Sequence, residues 1–205
     1  MPIKADLYLD TIDPARYLNP MDCQRCGSSS CRQWLEKIKA GKARLDDCAS
    51  LDPALSRALK GILSLESILP QVEITQHPVP GLTGLYGINE PGPDSPVIVT
   101  GSAAITQEVV LTVLSTTDAP FHVLFVDTKG HTVDMAVIYR TFTPQAVLQA
   151  VEGCGLGSLV SHRDLIMPGL TAGLKEPIEA MSEWHCTIGP VCVGELPLFL
   201  GARWR

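Results

Sequence analysis

The stretch CQRCGSSSC at residues 23–31, followed by Cys48, sets four thiols at spacings C-x2-C-x4-C-x16-C. Thiolates in that number hold Zn2+ or an iron–sulfur cluster, and both chemistries use four cysteines. Structural zinc commonly arrives on two C-x2-C knuckles, whereas here only Cys23 and Cys26 form one. Three cysteines within nine residues let one loop wrap three corners of a cubane, and the distant fourth closes it. Gly27, directly after Cys26, lets the backbone approach the sulfides with no Cβ in the way. The pattern favours a [4Fe–4S] cluster on Cys23, Cys26, Cys31 and Cys48, with structural zinc as the alternative. Cys154, Cys186 and Cys192 stand far apart in apolar contexts and read as core residues.

The elements that must position these thiols follow from composition and pattern. With 205 residues, 45% hydrophobic and 19% charged, the chain suits one ordinary domain plus a small appendage. A formal charge of −6 with no basic run argues against a nucleic-acid partner. The N-terminal MPIKADLYLDTIDP has no apolar signal core, and no apolar run reaches the about 18 residues that a membrane span needs. Four crowded cysteines without an export signal read as metal binding in a reducing compartment, so the expected location is the cytoplasm.

The organisation along the chain is a four-cysteine helical domain at 1–70, a Pro/Gly-rich linker at 71–95 and an α/β domain at 96–205. In the first, Trp34, Leu35 and Ile38 share one helix face, Gly41 is placed to end that helix, and Pro53 opens a second. The linker, with its four prolines and four glycines, has room for one or two short extended pieces. Beyond it we expect strands at 97–100, 122–127, 158–161 and 184–188, alternating with helices at 104–114, 132–139, 143–152 and 169–180. Continuous apolar strands separated by helices imply a Rossmann-like parallel sheet covered on both faces, with its ligand beyond the carboxyl ends of the strands.

The segment CQRCGSSSCRQWLEKIKAGKARLDDCASL resembles the cluster-binding domain of the large subunit of the corrinoid iron–sulfur protein, the methyl carrier of the reductive acetyl-CoA pathway. The later segments PVIVTGSAAIT, VLFVDTKGHTVDMA, FTPQAV, VSHRDLIMPGLTAGLKEPIEAMSEWHCTIGP and ELPLFL are similar, in order, to that subunit's corrinoid-binding domain. The family places a TIM barrel between these domains, where this chain has only residues 71–95. The loop after the first strand also departs from the family, keeping Thr100, Ser102 and Thr106 without the usual Asn and aromatic residue.

The resemblance implies two cofactors, a [4Fe–4S] cluster and a base-off corrinoid (cobalamin). A corrin needs an apolar rim with short donors for its fringe of amides and for a phosphate. Loops after the expected strands offer Thr100, Gly101, Ser102 and Thr106, then Asp127, Thr128, Gly130, His131 and Thr132, then Pro168, Gly169 and Thr171. Thr and Gly at strand ends are also ordinary turn residues, and their convergence on one edge is what makes them candidates. No D-x-H-x-x-G string supplies an axial histidine; His131 comes nearest at the wrong spacing, and His162 is expected at the ligand edge. A cobalt without a nitrogen ligand is more easily reduced to the nucleophilic Co(I) state, and a low-potential cluster can restore that state after oxidation.

The implied role is therefore methyl carriage, with the reactive atom supplied by cobalt and no catalytic acid, base or nucleophile in the chain. The implied partners are a TIM-barrel methyltransferase and, beyond it, a small corrinoid-protein subunit, an acetyl-CoA synthase or a reductive activase. The linker would let the cluster domain approach the corrin for reduction and leave it for methyl transfer. Two alternatives stay open. One is an iron–sulfur electron-transfer protein whose α/β domain only docks a partner, and the other a zinc-stabilised binding protein.

Overall fold

The two longer helices of the N-terminal half start where a short polar side chain takes up a free amide. The structure, a computed structural model, describes residues 7–19, 27–48, 51–70 and 77–204. Helix α1 (Cys31–Lys39) begins after Ser30, whose Oγ accepts the Gln33 N–H at 3.2 Å. It ends before Gly41, which takes φ +68°, a left-handed conformation that suits a residue without Cβ. Asp52 caps α2 (Pro53–Leu63), accepting from Ala54 N and Leu55 N at 2.8 and 3.0 Å, with Pro53 first in the helix as expected. A short α3 (Leu65–Ile68) follows.

Apolar bursts in the second half form one five-stranded sheet. Its strands are β1 (Gly84–Ile88), β2 (Val97–Gly101), β3 (Phe121–Val126), β4 (Asp164–Met167) and β5 (His185–Ile188), in spatial order β1-β3-β2-β4-β5. The pairs β3–β2, β2–β4 and β4–β5 are parallel, and β1 closes the edge antiparallel to β3. Alternation sorts the strand side chains onto two faces. Phe121, Val123 and Phe125 join Ile98 and Ile166 under α4 (Ala104–Leu114) and α9 (Leu196–Leu200). Leu124 and Val126 join Val97, Leu165 and Met167 on the other face, under α5 (Val133–Ile138), α6 (Pro144–Gly153) and α8 (Lys175–Met181). A mostly parallel sheet covered on both faces is the Rossmann-like α/β layer expected.

The stretch read as a linker with room for short extended pieces contributes one, β1, at the sheet edge, where a strand tolerates glycines. Two expectations change. Residues 156–159 form a helical turn, α7 (Leu156–Leu159), and the strand is β4, six residues beyond the start of the expected one. Burial explains the shift: Leu165, Ile166 and Met167 are all buried, whereas Leu159 is 48% exposed. The expected helix at 169–180 is a 3-10 segment, Gly169–Leu174, leading into α8.

The cluster half is packed against the α/β half. Leu198 of α9 lies in one apolar cluster with Trp34, Leu35, Leu45 and Leu59, and Leu65 and Leu69 lie in the cluster beneath α4. The expectation of a cluster domain tethered by a linker alone therefore meets a seam in which helix α9 serves both halves. A polar bond crosses the same seam: the Tyr17 hydroxyl donates to Oε1 of buried Glu195 at 2.9 Å. Burial, then the hydrogen bond to Glu195 and its charge, push the Tyr17 hydroxyl up to about 12. A group whose folded value is raised stabilises fully below its unfolded value of about 10, and that contribution is lost as pH rises through the folded value. Tyr17 should give a late step near 12 in an ultraviolet absorbance titration. Tyr17→Phe should remove that late step; its persistence would place the raised value on another ring.

Candidate functional site

Strand β2 pairs with β3 along its whole length, from Val97↔His122 to Gly101↔Val126. Its pairing with β4 stops after two residues, Val97↔Leu165 and Ile98↔Ile166. The chain passes from β2 to β3 on one side and later returns to β4 on the other, so the gap between β2 and β4 is the switch point of the sheet. A cavity of about 930 Å3 opens there, lined by Ile98, Val99 and Thr100 on one side and Ile166, Met167 and Pro168 on the other. Its size is at the upper end of the range for small-molecule sites, about 300–1,000 Å3.

Of the residues that sequence reasoning assigned to a corrin, Thr100, Thr106, Gly130, His131 and Pro168 line this cavity, as does Thr132. The remaining six are built into the loops that border it. Ser102 Oγ accepts the Thr128 N–H at 3.1 Å, with both residues fully buried, and Thr128 Oγ1 donates to the His131 carbonyl at 2.7 Å. Thr171 Oγ1 donates to the Pro168 carbonyl at 2.8 Å. Asp127 accepts the Lys129 N–H at 2.9 Å and pairs with the Lys129 ammonium; these bonds hold its carboxyl below the usual range. Gly169 packs so closely that an added Cβ would stand 2.7 Å from Val191 N, and one on Gly101 would stand 3.0 Å from Thr128 Cγ2.

Gly130 takes φ +80°, and a Cβ there would meet the backbone of Val79 and Pro80 at 2.6–2.9 Å. Segment 77–81 thus crosses the β3 loop at close range, and His77, Pro78 and Val79 form part of the cavity wall. His131 Nδ1 lies 3.1 Å from the Thr128 carbonyl, and its ring packs 4.9 Å from that of Tyr139. His162, expected at the ligand edge, sits instead before the amino end of β4, with Nε2 3.0 Å from the Ser95 carbonyl and Nδ1 accepting from Asp164 N. That expectation followed the family's similar stretch, whereas here the residue precedes β4 and lies at the opposite end of the sheet from the cavity.

Sequence reasoning missed two parts of the wall. Gly189, Pro190, Val191 and Cys192 follow β5 and line the cavity. The Gly-Pro turn after an apolar strand was a readable signal for them. Leu7 and Tyr8 also line it, brought from 90 residues upstream of β2 with no local pattern to announce them. Tyr8 takes φ 57° and donates its hydroxyl to Asp134 Oδ2 at 3.0 Å.

The candidate metal centre is described in part. Cys23 and Cys26 lie outside the described residues. Cys31 opens α1 and its Sγ stands 3.6 Å from the Asn19 carbonyl oxygen, while Cys48 is buried beside Leu45. Gly27 takes φ +67° with open space where a Cβ would be, and Lys37 Nζ ties its carbonyl and the Ser28 hydroxyl at 3.2 and 3.0 Å. Cys154, Cys186 and Cys192 form no disulfide. Cys31 at the start of a helix and buried Cys48 are thiols of the kind that a four-thiolate centre needs, so these residues fit such a group. Among the described residues no set of three or more His, Cys, Asp or Glu forms a further metal site. Burial pushes the thiols of Cys154 and Cys186 up, which makes both poor thiolates. Nor, among the described residues, is any helix long and apolar enough to cross a membrane.

Comparison with known proteins follows the same division. Residues 62–200 match the family described as CO dehydrogenase/acetyl-CoA synthase delta subunit, and residues 18–50 match the family described as "Putative Fe-S cluster". The acetyl-CoA decarbonylase/synthase complex subunit gamma of Methanopyrus kandleri is 37% identical over 117 residues, covering 57% of this chain and 25% of that one. The same subunit of Archaeoglobus fulgidus is 34% identical over 127 residues, covering 62% and 27%. That of Methanocaldococcus jannaschii is 31% identical over 121 residues, covering 59% and 25%. The chain spans about a quarter of the length of these curated relatives.

Asp134 gives the cavity wall a pH-dependent clasp. Burial raises its carboxyl, but hydrogen bonds from the Thr132 hydroxyl, the Met135 N–H and the Tyr8 hydroxyl outweigh burial and hold it below the usual range. A depressed carboxyl stabilises above its unfolded value and loses that contribution as pH falls through its folded one. Tyr8→Phe should cost about 1 kcal/mol at neutral pH. The difference should shrink as pH falls below about 4. Urea unfolding midpoints across that range test this; an equal deficit in acid would show that the hydroxyl acts on something other than the carboxylate.

Proposed function

The chain belongs to the family of the CO dehydrogenase/acetyl-CoA synthase delta subunit, and from that premise we propose that it is a corrinoid iron–sulfur methyl carrier. The observation that carries this reading is segment 7–19. At one end Tyr8 lines the cavity at the switch point, and at the other the Asn19 carbonyl touches Cys31 of the four-cysteine loop. Two sites for different cofactors are thus joined by a dozen residues, as a carrier reduced by its own cluster requires.

When bound, a corrinoid supplies a cobalt that takes up and hands on a methyl group, and a [4Fe–4S] cluster supplies the low-potential electron that keeps it active. The residues of the chain bind and shield. Thr100, Thr106 and Thr132 offer short hydroxyls at the cavity wall, and Ile98, Val99 and Ile166 offer an apolar floor. Ser102, Thr128 and Thr171 hold the bordering loops in shape. His131 Nδ1 is held by the Thr128 carbonyl, which fixes the imidazole at the cavity wall. Cys23, Cys26, Cys31 and Cys48 would hold the cluster.

The curated relatives are named as subunits of a complex, so this carrier would serve protein partners. A TIM-barrel methyltransferase would load it and an acetyl-CoA synthase or a small corrinoid-protein subunit would meet it afterwards, with a reductive activase as a second route to reduction. The electron-transfer reading is favoured by one feature: Leu7, Tyr8 and residues 77–79 already fill part of the wall that a corrin would approach.

Elemental analysis decides between them. Protein purified without oxygen, incubated with hydroxocobalamin and desalted, should hold about four irons and about one cobalt per chain. Cys31→Ala should lose the iron and Cys154→Ala should keep it. Iron without cobalt would leave the electron-transfer reading, and zinc in place of iron would overturn both.

A further inference from the structure

The Trp34 side chain is 2% exposed, and its Nε1 is the one buried side-chain nitrogen or oxygen without a hydrogen-bond partner among the described residues. A donor stripped of water and given no acceptor is destabilising, and buried tryptophans normally direct the N–H to a partner. Phenylalanine would supply an aromatic ring here with no donor to satisfy. Leu35, Leu45, Ala58, Leu59 and Leu198 share its buried cluster, and none of these side chains carries an acceptor. The remaining buried member of that cluster is Cys48. Helix geometry adds a second sulfur. Trp34 follows Cys31 by three residues on α1, so the two side chains lie on one face a turn apart. The unpartnered N–H thus belongs to a group bounded by two of the four candidate cluster ligands.

We infer that the Trp34 indole N–H donates a hydrogen bond to a sulfur of the iron–sulfur centre, a sulfide or a ligating thiolate, and thereby sets its reduction potential. The inference rests on the iron–sulfur reading above and adds to it a residue that ligates nothing. Reduction adds one electron, and with it negative charge, to the cluster; no bond to iron forms or breaks. A hydrogen bond to sulfur stabilises that added charge and raises the potential. Trp34 is in this sense a positioning residue, acting through sulfur on an electron it never carries.

The test is Trp34→Phe in the full chain, which keeps the ring and removes the donor. Iron content should stay at the wild-type value. In a redox titration followed by electron paramagnetic resonance, the midpoint should fall. At fixed poise the ratio of reduced to oxidised cluster should drop on the order of tenfold, about 59 mV for one electron. An unchanged midpoint at full iron content would overturn the role of Trp34 and leave the iron–sulfur reading standing. A wild-type chain without iron would overturn both. If the variant fails to take up iron, the wild-type chain carries the test with nitrogen-15 in its indoles. Trp184 and Trp204 lie in the two clusters flanking the sheet, apart from that of Trp34. Nitrogen-15 coupling to the reduced cluster would therefore report Trp34, and its absence would overturn the inference.

Discussion

Strands β2 and β4 share a ladder for two residues and then part, and the candidate cofactor cavity exists because they do. A parallel sheet buried on both faces would otherwise present a closed edge of paired amides and carbonyls. The parting follows from topology: crossovers leaving β2 run in opposite directions on its two sides, so no connection covers the space between. Ile98, Val99 and Ile166 thereby turn from sheet into wall. The loop residues that look most suited to a ligand are largely occupied in holding this gap open. Ser102 and Thr128 tie the loops after β2 and β3 together on one side of it, and Thr171 and Gly169 shape the opposite rim.

The second constraint is the seam between the halves. Helix α9 gives Leu198 to the cluster half and Leu196 and Leu200 to the sheet. Five residues thus stitch two hydrophobic clusters together, and the buried Glu195 at its start is bonded by Tyr17 from the other half. Segment 7–19 runs along this seam from the cavity to the four-cysteine loop. In the family resemblance a barrel stands between the two cofactor domains; here short segments of the chain itself cover part of that space.

Much of this was legible beforehand. The α/β class, the edge of the sheet that carries the cavity, Pro53 at the start of α2 and the turn at Gly41 all follow from local patterns. Those signals are strong because capping, helix periodicity and continuous apolar strands act over a few residues. The strand at 158–161 failed because two short apolar runs compete within ten residues, and only burial against β2 and β5 selects the later one. Edge strand β1 gains its identity from β3, a partner more than 30 residues away.

The sequence by itself determined the chemistry on offer: four thiols at cluster-like spacing and short hydroxyl-bearing loops after apolar strands. Side-chain type and spacing are local properties, readable without a fold. Tertiary structure alone decided which of those groups face the cavity and which hold its rim, since Thr100 and Ser102 are indistinguishable as letters two residues apart. It alone brought Tyr8, His77 and Cys192 to the same wall. It alone left the indole nitrogen of Trp34 without a partner among its apolar neighbours. Contacts of that kind depend on which distant surfaces the hydrophobic clusters press together, and no short window of sequence carries that information.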